Sequence, residues 1–176
     1  MKKLFLTALA LLSFGPSALA ATVIDASNDT TVTNGPASNI MLTLATASAT
    51  RLFDALTVRE TPGWEDVQIS SKSAAGIYCN NEDAPAGRYA SCQIQVNAQK
   101  GIEDAALTGR AEKIALSFTG TTAAKIYGLL DVPAKQEDAE GYTYSKVLPG
   151  ISCQEHTITK SNDCVIYVDA AQGVLR

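Results

Sequence analysis

The sequence lacks most of the features that mark an enzyme or a nucleic-acid-binding protein. Its 176 residues include one histidine and one tryptophan, and 18 acidic residues outnumber 14 basic ones without a run of like charge. Nucleic acids and anionic lipids require clustered Lys and Arg, so neither is expected as a partner. The sequence contains no G-x-S-x-G segment and no P-loop. Serine hydrolases of that type and nucleotide-binding proteins are therefore not indicated.

Long apolar runs are also missing beyond the first residues. Two lysines precede the apolar stretch Leu4–Leu12, and Ala18–Ala20 has the small residues of a cleavage site. This pattern predicts a secretory signal peptide over residues 1–20. The stretch is too short to span a bilayer, and Gly15 helps to break it. We therefore expect a periplasmic or secreted protein that is not inserted in a membrane after cleavage.

Cysteine is scarce but even in number. The four cysteines are Cys79, Cys92, Cys153 and Cys164. In an exported chain this count indicates two disulfides, with three possible pairings. Zinc is not favoured, because no C-x-x-C pair occurs and only His156 could add an imidazole ligand. We expect no metal and no cofactor.

A repeat is the strongest positive signal. A shift of 74 positions places Thr33–Cys79 on Leu107–Cys153 without a gap, with 12 identical residues in 47 pairs. The match resumes at an offset of 72 for the last cysteine of each copy. The repeat favours one disulfide inside each copy, Cys79–Cys92 and Cys153–Cys164. A pairing between copies, Cys79–Cys153 and Cys92–Cys164, remains the symmetric alternative.

Each copy shows the same succession of periodic patterns. Apolar residues alternate from Ile40 to Leu44, which predicts a strand, and then recur at helical spacing from Ala49 to Leu56. Thr46 or Ser48 is expected to cap this short helix, and Thr121 or Thr122 is expected to cap its counterpart in the second copy. The segments that follow predict two further strands, with a bulge or bend near Ser73–Gly76 and Val147–Gly150 and a disulfide near the tip of the last hairpin.

These patterns predict an α+β fold of two tandem β-α-β-β repeats with pseudo-twofold symmetry. Each antiparallel sheet would be covered by a short helix, and each repeat would hold its own disulfide. The expected divisions are a signal peptide over 1–20, a first repeat over 21–98 and a second over 99–176. Because a unit of about 70 residues is marginally stable alone, we expect the repeats to pack as one globule.

The candidate sites lie in the two segments that the disulfides would close. These segments, Asn80–Ser91 and Gln154–Asp163, are polar and unrelated in sequence. Tethered loops on a rigid scaffold favour recognition, because their ordering entropy is already removed. Arg88 and Tyr89 are of the residue types preferred as interface anchors, and His156 and Lys160 are the further candidates for partner binding.

Other residues carry less specific signals. Ser71-Lys72 and Ser145-Lys146 cannot act as Ser–Lys dyads, since neighbours on a strand point to opposite faces, and the lysines are interpreted as solvated. Trp64 fits either a core position or an exposed contact with a ligand.

The sequence thus predicts an exported, non-enzymatic protein-binding module that uses its tethered hairpin loops, in the manner of an inhibitor or accessory protein. The partner would be another protein. The alternative is a small periplasmic hydrolase or small-ligand carrier with its site in the crevice between the repeats.

Overall fold

A computed structural model of the chain describes residues 22–63, 69–84, 87–101 and 113–174. The predicted signal peptide over 1–20 and Trp64 lie outside the described residues. The described residues form two helices and twelve strands. In chain order they are β1 (Thr22–Asp25), β2 (Thr30–Asn34), β3 (Asn39–Ala45), α1 (Thr46–Ala55), β4 (Glu60–Pro62), β5 (Ile69–Ala74), β6 (Ile77–Ala84), β7 (Gly87–Asn97), β8 (Lys113–Thr119), α2 (Gly120–Leu129), β9 (Lys135–Gln136), β10 (Thr143–Leu148), β11 (Ile151–His156) and β12 (Ser161–Asp169).

The strands form two six-stranded sheets, which confirms the α+β class. The first sheet has the order β2-β3-β7-β6-β5-β4 and is antiparallel throughout. The second has the order β1-β8-β12-β11-β10-β9. It is antiparallel except at its end, where β1 runs parallel to β8. The N-terminal segment therefore contributes one edge strand to each sheet.

The period-two pattern places one face of each sheet in the core. In β3 the side chains of Ile40, Leu42 and Leu44 are buried, as predicted, while their neighbours are partly or fully exposed. Helix α1 buries Leu52 and Phe53 over this face, and α2 covers the second sheet in the same way. Each large side chain that is fully buried here contributes about 1.5–3 kcal/mol to folding. Buried residues of both sheets and both helices belong to one core.

Both predicted disulfides are present. The Cys79 and Cys92 sulfurs are 2.04 Å apart, and those of Cys153 and Cys164 are 2.03 Å apart. Each pair lies directly opposite on adjacent strands and is buried beneath a helix. The prediction of their place in the hairpin was wrong. Five residue pairs separate Cys79–Cys92 from the tip of β6–β7, because the segment that we read as a loop continues as paired strand.

The expected bends at Ser73–Gly76 and Val147–Gly150 are instead hairpin turns. Strands β5 and β6 pair antiparallel, with Ala74 opposite Ile77, and β10 and β11 pair in the same way. Gly76 and Gly150 occupy the left-handed region, with φ of 66° and 70°, which a two-residue turn needs and glycine adopts without strain. The sequence showed the glycine but not the reversal of direction.

The capping predictions were also wrong. Neither helix has a side-chain cap from its own N-cap residue. At α1 the cap comes from Asp29, whose carboxylate accepts hydrogen bonds from the Ser48 N–H at 3.0 Å and from the hydroxyls of Thr46 and Ser48. At α2 the Thr122 hydroxyl donates to the carbonyl of Ser27 at 2.7 Å. The segment between β1 and β2 therefore serves both helices.

The two repeated lysines are partly buried rather than fully solvated. Lys72 donates from Nζ to the carbonyls of Phe53 and Leu56 at 2.8 and 2.9 Å, where α1 ends. Lys146 does the same at the end of α2, with Tyr127 and Leu130 at 3.0 and 2.8 Å. Cations favour the carbonyl end of a helix, because its last C=O groups lack partners within the helix.

Contacts between the first and last parts of the chain come in matching pairs. The N–H of Thr57, after α1, donates to the carbonyl of Ala170, after β12, at 2.9 Å. The N–H of Asp131, after α2, donates to the carbonyl of Ala98, after β7, also at 2.9 Å. These bonds tie the end of each sheet to the helix of the other.

Candidate functional site

The β6–β7 hairpin holds Arg88 in contacts within the chain. Its guanidinium makes an ion pair with Asp54 of α1, with NH2 2.9 Å from Oδ1 and NH1 3.2 Å from Oδ2. Nε donates to Asn81, and the guanidinium carbon lies 5.3 Å from the centre of the Phe53 ring. A two-point pair with a carboxylate fixes an arginine strongly. Arg88 therefore joins the hairpin to α1, and a partner would have to compete for it.

Tyr89 is placed differently from Arg88. It lies on the opposite face of β7, across from Glu82, and 56% of the residue is exposed. Of the two residues expected to act together, only Tyr89 presents an unoccupied surface to solvent. The structure thus separates two neighbours that the sequence could only name as a pair.

The β11–β12 hairpin brings His156 near polar groups on the outer face of the second sheet. The Thr143 hydroxyl lies 3.4 Å from His156 Nδ1, and Asp163 Oδ2 lies 3.8 Å from Nε2. Ser161 sits directly opposite His156, but its hydroxyl pairs with Thr159 at 2.8 Å. A hydrolytic triad needs the serine on the imidazole and a buried carboxylate behind it. The side chains of His156 and Asp163 are here 35% and 54% exposed, so this cluster does not have the geometry of such a triad.

Two exposed apolar residues stand at this end of the sheet. Tyr142 is 48% and Ile158 is 67% exposed, and both border an open depression of about 480 Å³. The depression is also lined by Thr143, His156, Thr159, Ser161 and Asp163. We call the residues Tyr142, Thr143 and His156–Asp163 the β11–β12 end. Lys160 belongs to it, and its φ of 51° fits a tight turn.

Hydrogen bonds hold the β11–β12 end in shape. The Thr157 N–H donates to the Tyr142 carbonyl at 2.8 Å, and the Tyr142 N–H donates to Asp138 Oδ1 at 2.7 Å. Hydrogen bonds from the Thr143 side chain and the Tyr142 N–H hold the pKa of the Asp138 carboxyl below its usual value of 3.8. The loop that carries Tyr142 is therefore tied both to a carboxylate and to the next hairpin.

The central strand β12 of the second sheet has a more apolar outer face than the central strand β7 of the first. On the central strand β12 this face carries Val165 and Tyr167, both partly buried, whereas Gln93 and Gln95 on β7 are exposed. Val147, on β10, is 63% exposed. Antiparallel sheets with one solvated face usually alternate apolar and polar residues. Strand β12 departs from that rule on the same face as His156.

A second depression lies where Gly76, at the β5–β6 turn, approaches the residues that follow β7. It measures about 340 Å³ and is lined by Ala37, Asn39, Gly76, Gln95, Asn97, Lys100 and Gly101. Among the described residues that line it there is no carboxylate, histidine or cysteine. Among the described residues, no group of three His, Cys, Asp or Glu side chains could hold a metal ion. This depression offers hydrogen-bonding amides and one lysine.

At the β11–β12 end, the sequence pointed to His156 and Lys160 as candidates for partner binding but not to Tyr142 and Ile158. Ile158 was detectable, since it is an aliphatic residue within a polar loop. Tyr142 carries no such signal, because only the fold brings it beside a loop 16 residues away. Neither described helix is long enough to cross a bilayer. The chain matches no family model, no curated protein and no solved structure.

Proposed function

We propose that the chain is an exported, non-enzymatic protein-binding module, acting in the periplasm or outside the cell as an inhibitor or accessory protein. The observation that carries this proposal is the β11–β12 end, where Tyr142 and Ile158 stand exposed around an open depression. Exposed aromatic and aliphatic side chains next to fixed polar groups are what protein interfaces use as anchors. The buried Cys153–Cys164 bridge beneath it pre-orders the surface.

We further propose that the fold arose from two copies of one unit, β3-α1-β4-β5-β6-β7 and β8-α2-β9-β10-β11-β12, packed about a pseudo-twofold axis. Helices α1 and α2 begin and end 74 residues apart, as do β5 and β10. The matching bonds Thr57–Ala170 and Asp131–Ala98 are what an isologous interface would produce. On this view the two hairpin ends are equivalent positions that have diverged. The first became tied to α1 through Arg88, and the second kept its side chains available.

The test is a comparison of variants in a pull-down from the exported proteins of the source cell. Ile158→Ser combined with Lys160→Ala removes the apolar anchor and the charge of the β11–β12 end without touching the core. Tyr89→Ala is the matched control on the other hairpin, chosen because it leaves the Arg88–Asp54 pair intact. We expect the double variant to lose the bound partner and Tyr89→Ala to keep it.

Two outcomes would count against this site. Loss of the partner with Tyr89→Ala alone would move recognition to the β6–β7 hairpin. Retention of the same partner by all variants would remove both hairpin ends from the interface. Circular dichroism of each variant confirms that the fold is retained, so that loss of binding is not loss of structure.

The alternative is that the protein is a small-ligand carrier or a small hydrolase with its site in the crevice between the repeats. One observation favours the carrier. The depression near Gly76 is large enough for a small polar molecule and offers amide groups from Asn39, Gln95 and Asn97. A thermal-shift screen with sugars and amino acids distinguishes the two functions. A stabilising compound whose effect is lost with Gln95→Ala and kept with Ile158→Ser would favour the carrier.

A further inference from the structure

Among the described residues four strands lie at the edges of the two sheets, and β2 is the longest of them and has neither charge nor proline, although α2 contacts it. Strand β4 has three residues and contains Glu60 and Pro62, and β9 has two and contains Lys135. Strand β1 has four residues and ends in Asp25. Strand β2 has five, Thr30–Asn34, with neither charge nor proline. Proteins usually blunt sheet edges by shortness, charge or proline, because an unprotected edge pairs with another strand.

The hydrogen bonds at the two ends of the β2–β3 pair show which way the backbone of β2 points. At one end the Ala45 N–H donates to the Asp29 carbonyl at 3.0 Å, and at the other the Gly35 N–H donates to the Asn39 carbonyl at 2.7 Å. Bonded and non-bonded residues alternate in an antiparallel ladder. Since both flanking residues of β2 are odd-numbered, its odd-numbered residues bond to β3. Its even-numbered residues turn their N–H and C=O groups away.

The even-numbered residues are Thr30, Val32 and Asn34. Among the described residues, no backbone hydrogen bond outside the strand ladders and helices reaches their N–H or C=O groups. Three consecutive outward positions therefore offer the pattern of donors and acceptors that a further strand requires. Of their side chains, Val32 is buried in the core, Thr30 is partly buried with its hydroxyl oxygen enclosed, and Asn34 is exposed.

The edge is complementary to itself. An antiparallel copy centred on Val32 pairs Thr30 with Asn34 and Thr31 with Thr33. Thr31 and Thr33 are exposed on the outer face, and cross-strand Thr–Thr pairs are favourable. No like charges meet, because β2 carries none. The three outward residues would form hydrogen-bonded pairs, each of which exchanges two bonds.

We propose that β2 pairs antiparallel with β2 of a second copy of this chain. The first sheets of the two copies, each of six strands, would then join into one continuous sheet. A second copy is the occupant that the edge favours, because it supplies the same uncharged strand in matching register. This interface uses neither the β11–β12 end nor either depression, so it stands or falls independently of the proposed function.

The test is the oligomeric state in solution. Sedimentation velocity of the oxidised full-length mature protein, from micromolar to millimolar concentration, is expected to show a monomer–dimer equilibrium. Thr31→Lys combined with Thr33→Lys places like charges opposite each other across the pair. We expect this double variant to raise the dimer dissociation constant at least about tenfold. Gln93→Lys, on the exposed face of the central strand β7, is the matched control and should dimerise as the wild type does.

A charge-exchange experiment identifies the surface directly. Thr31→Glu combined with Thr33→Glu should also be monomeric by itself. Mixed with the double lysine variant it should restore a dimer, since Lys then faces Glu at both positions. A wild type that remains monomeric throughout, a dimer unaffected by the lysines, or a mixture that stays monomeric would each overturn the proposal.

Discussion

Lys72 and Lys146 show at the scale of single residues how a charge can serve structure. Each ammonium donates to two carbonyls at the end of a helix and lies over an aromatic ring of that helix, 4.7 Å from the centre of Phe53 or 4.8 Å from that of Tyr127. Both lysines are partly buried. The ammonium satisfies carbonyls that a helix end leaves unpaired and adds a cation–π contact.

Replacing either lysine with methionine should therefore destabilise the fold. Lys72→Met and Lys146→Met keep the aliphatic stem but leave two helix carbonyls without their donor. We expect each to lower the free energy of unfolding by about 1–3 kcal/mol. Urea denaturation measures the change. Lys125→Met, at an exposed position of α2, is the control, and an equal loss there would show that the helix-end bonds contribute nothing.

These lysines also show where sequence reasoning stops at this scale. Alternation along the strand placed Lys72 and Ser71 on opposite faces, and that was right. It did not tell which face is covered, because the carbonyls that Lys72 binds are 16 and 19 residues away. The same holds for Asp29, which caps α1 from outside any local motif. Bonds between residues distant in the chain leave no local pattern.

At the scale of elements the sequence was more informative. The apolar positions Ala49, Leu52, Phe53 and Leu56 predicted α1, and all four are buried. Alternation predicted β3 and β7, and the repeat predicted the disulfide partners. The hairpin turn at Gly76 and the paired arms beyond each disulfide were missed. A glycine and a polar segment fit a bend or a loop as well as a strand reversal or a paired strand.

The contact between α2 and β11 makes the free energy of unfolding depend on pH in the alkaline range. Burial first, and then the charge and hydrogen bond of Glu155, raise the pKa of the Tyr127 phenol above its ordinary value of 10.0. The folded state thus favours the neutral phenol. The stabilisation is present in full below pH 10 and is lost as the pH rises through the raised pKa of the folded state.

Tyr127→Phe removes this titration. We expect the variant to lose less stability than the wild type between neutral and strongly alkaline pH, because it has no phenol to ionise. Urea denaturation across that range gives the two slopes. Glu155→Gln should fall between them, since it removes the charge and keeps a hydrogen-bond acceptor. Parallel slopes for the wild type and Tyr127→Phe would contradict the assignment.

At the scale of the whole molecule, two glycines hold the first and last parts of the chain together. Gly101 packs on the turn between β10 and β11, and a Cβ there would lie 2.5 Å from the Pro149 carbonyl oxygen. Gly173 packs on the turn between β5 and β6, and a Cβ there would lie 2.6 Å from the Ala75 carbonyl oxygen. Both adopt positive φ, 69° and 81°. Each crossing therefore needs glycine for its conformation and for the closeness of two backbones.

Alanine at either position should lower the free energy of unfolding of the whole molecule rather than destabilise one sheet alone. The left-handed conformation alone costs an L-residue about 1–2 kcal/mol, and the clash with a carbonyl oxygen adds to it, so we expect a loss of more than about 2 kcal/mol for Gly101→Ala and for Gly173→Ala. Gly120→Ala is the control. Gly120 has φ of 58° but no atom within 4 Å of its Cβ position, and Thr46 at the start of α1 tolerates φ of 48°.

Because the two sheets share one core, each variant should still unfold in a single transition, seen at the same urea concentration by circular dichroism and by amide resonances from both sheets. Separate transitions for the two sheets would mean that the shared core does not couple them.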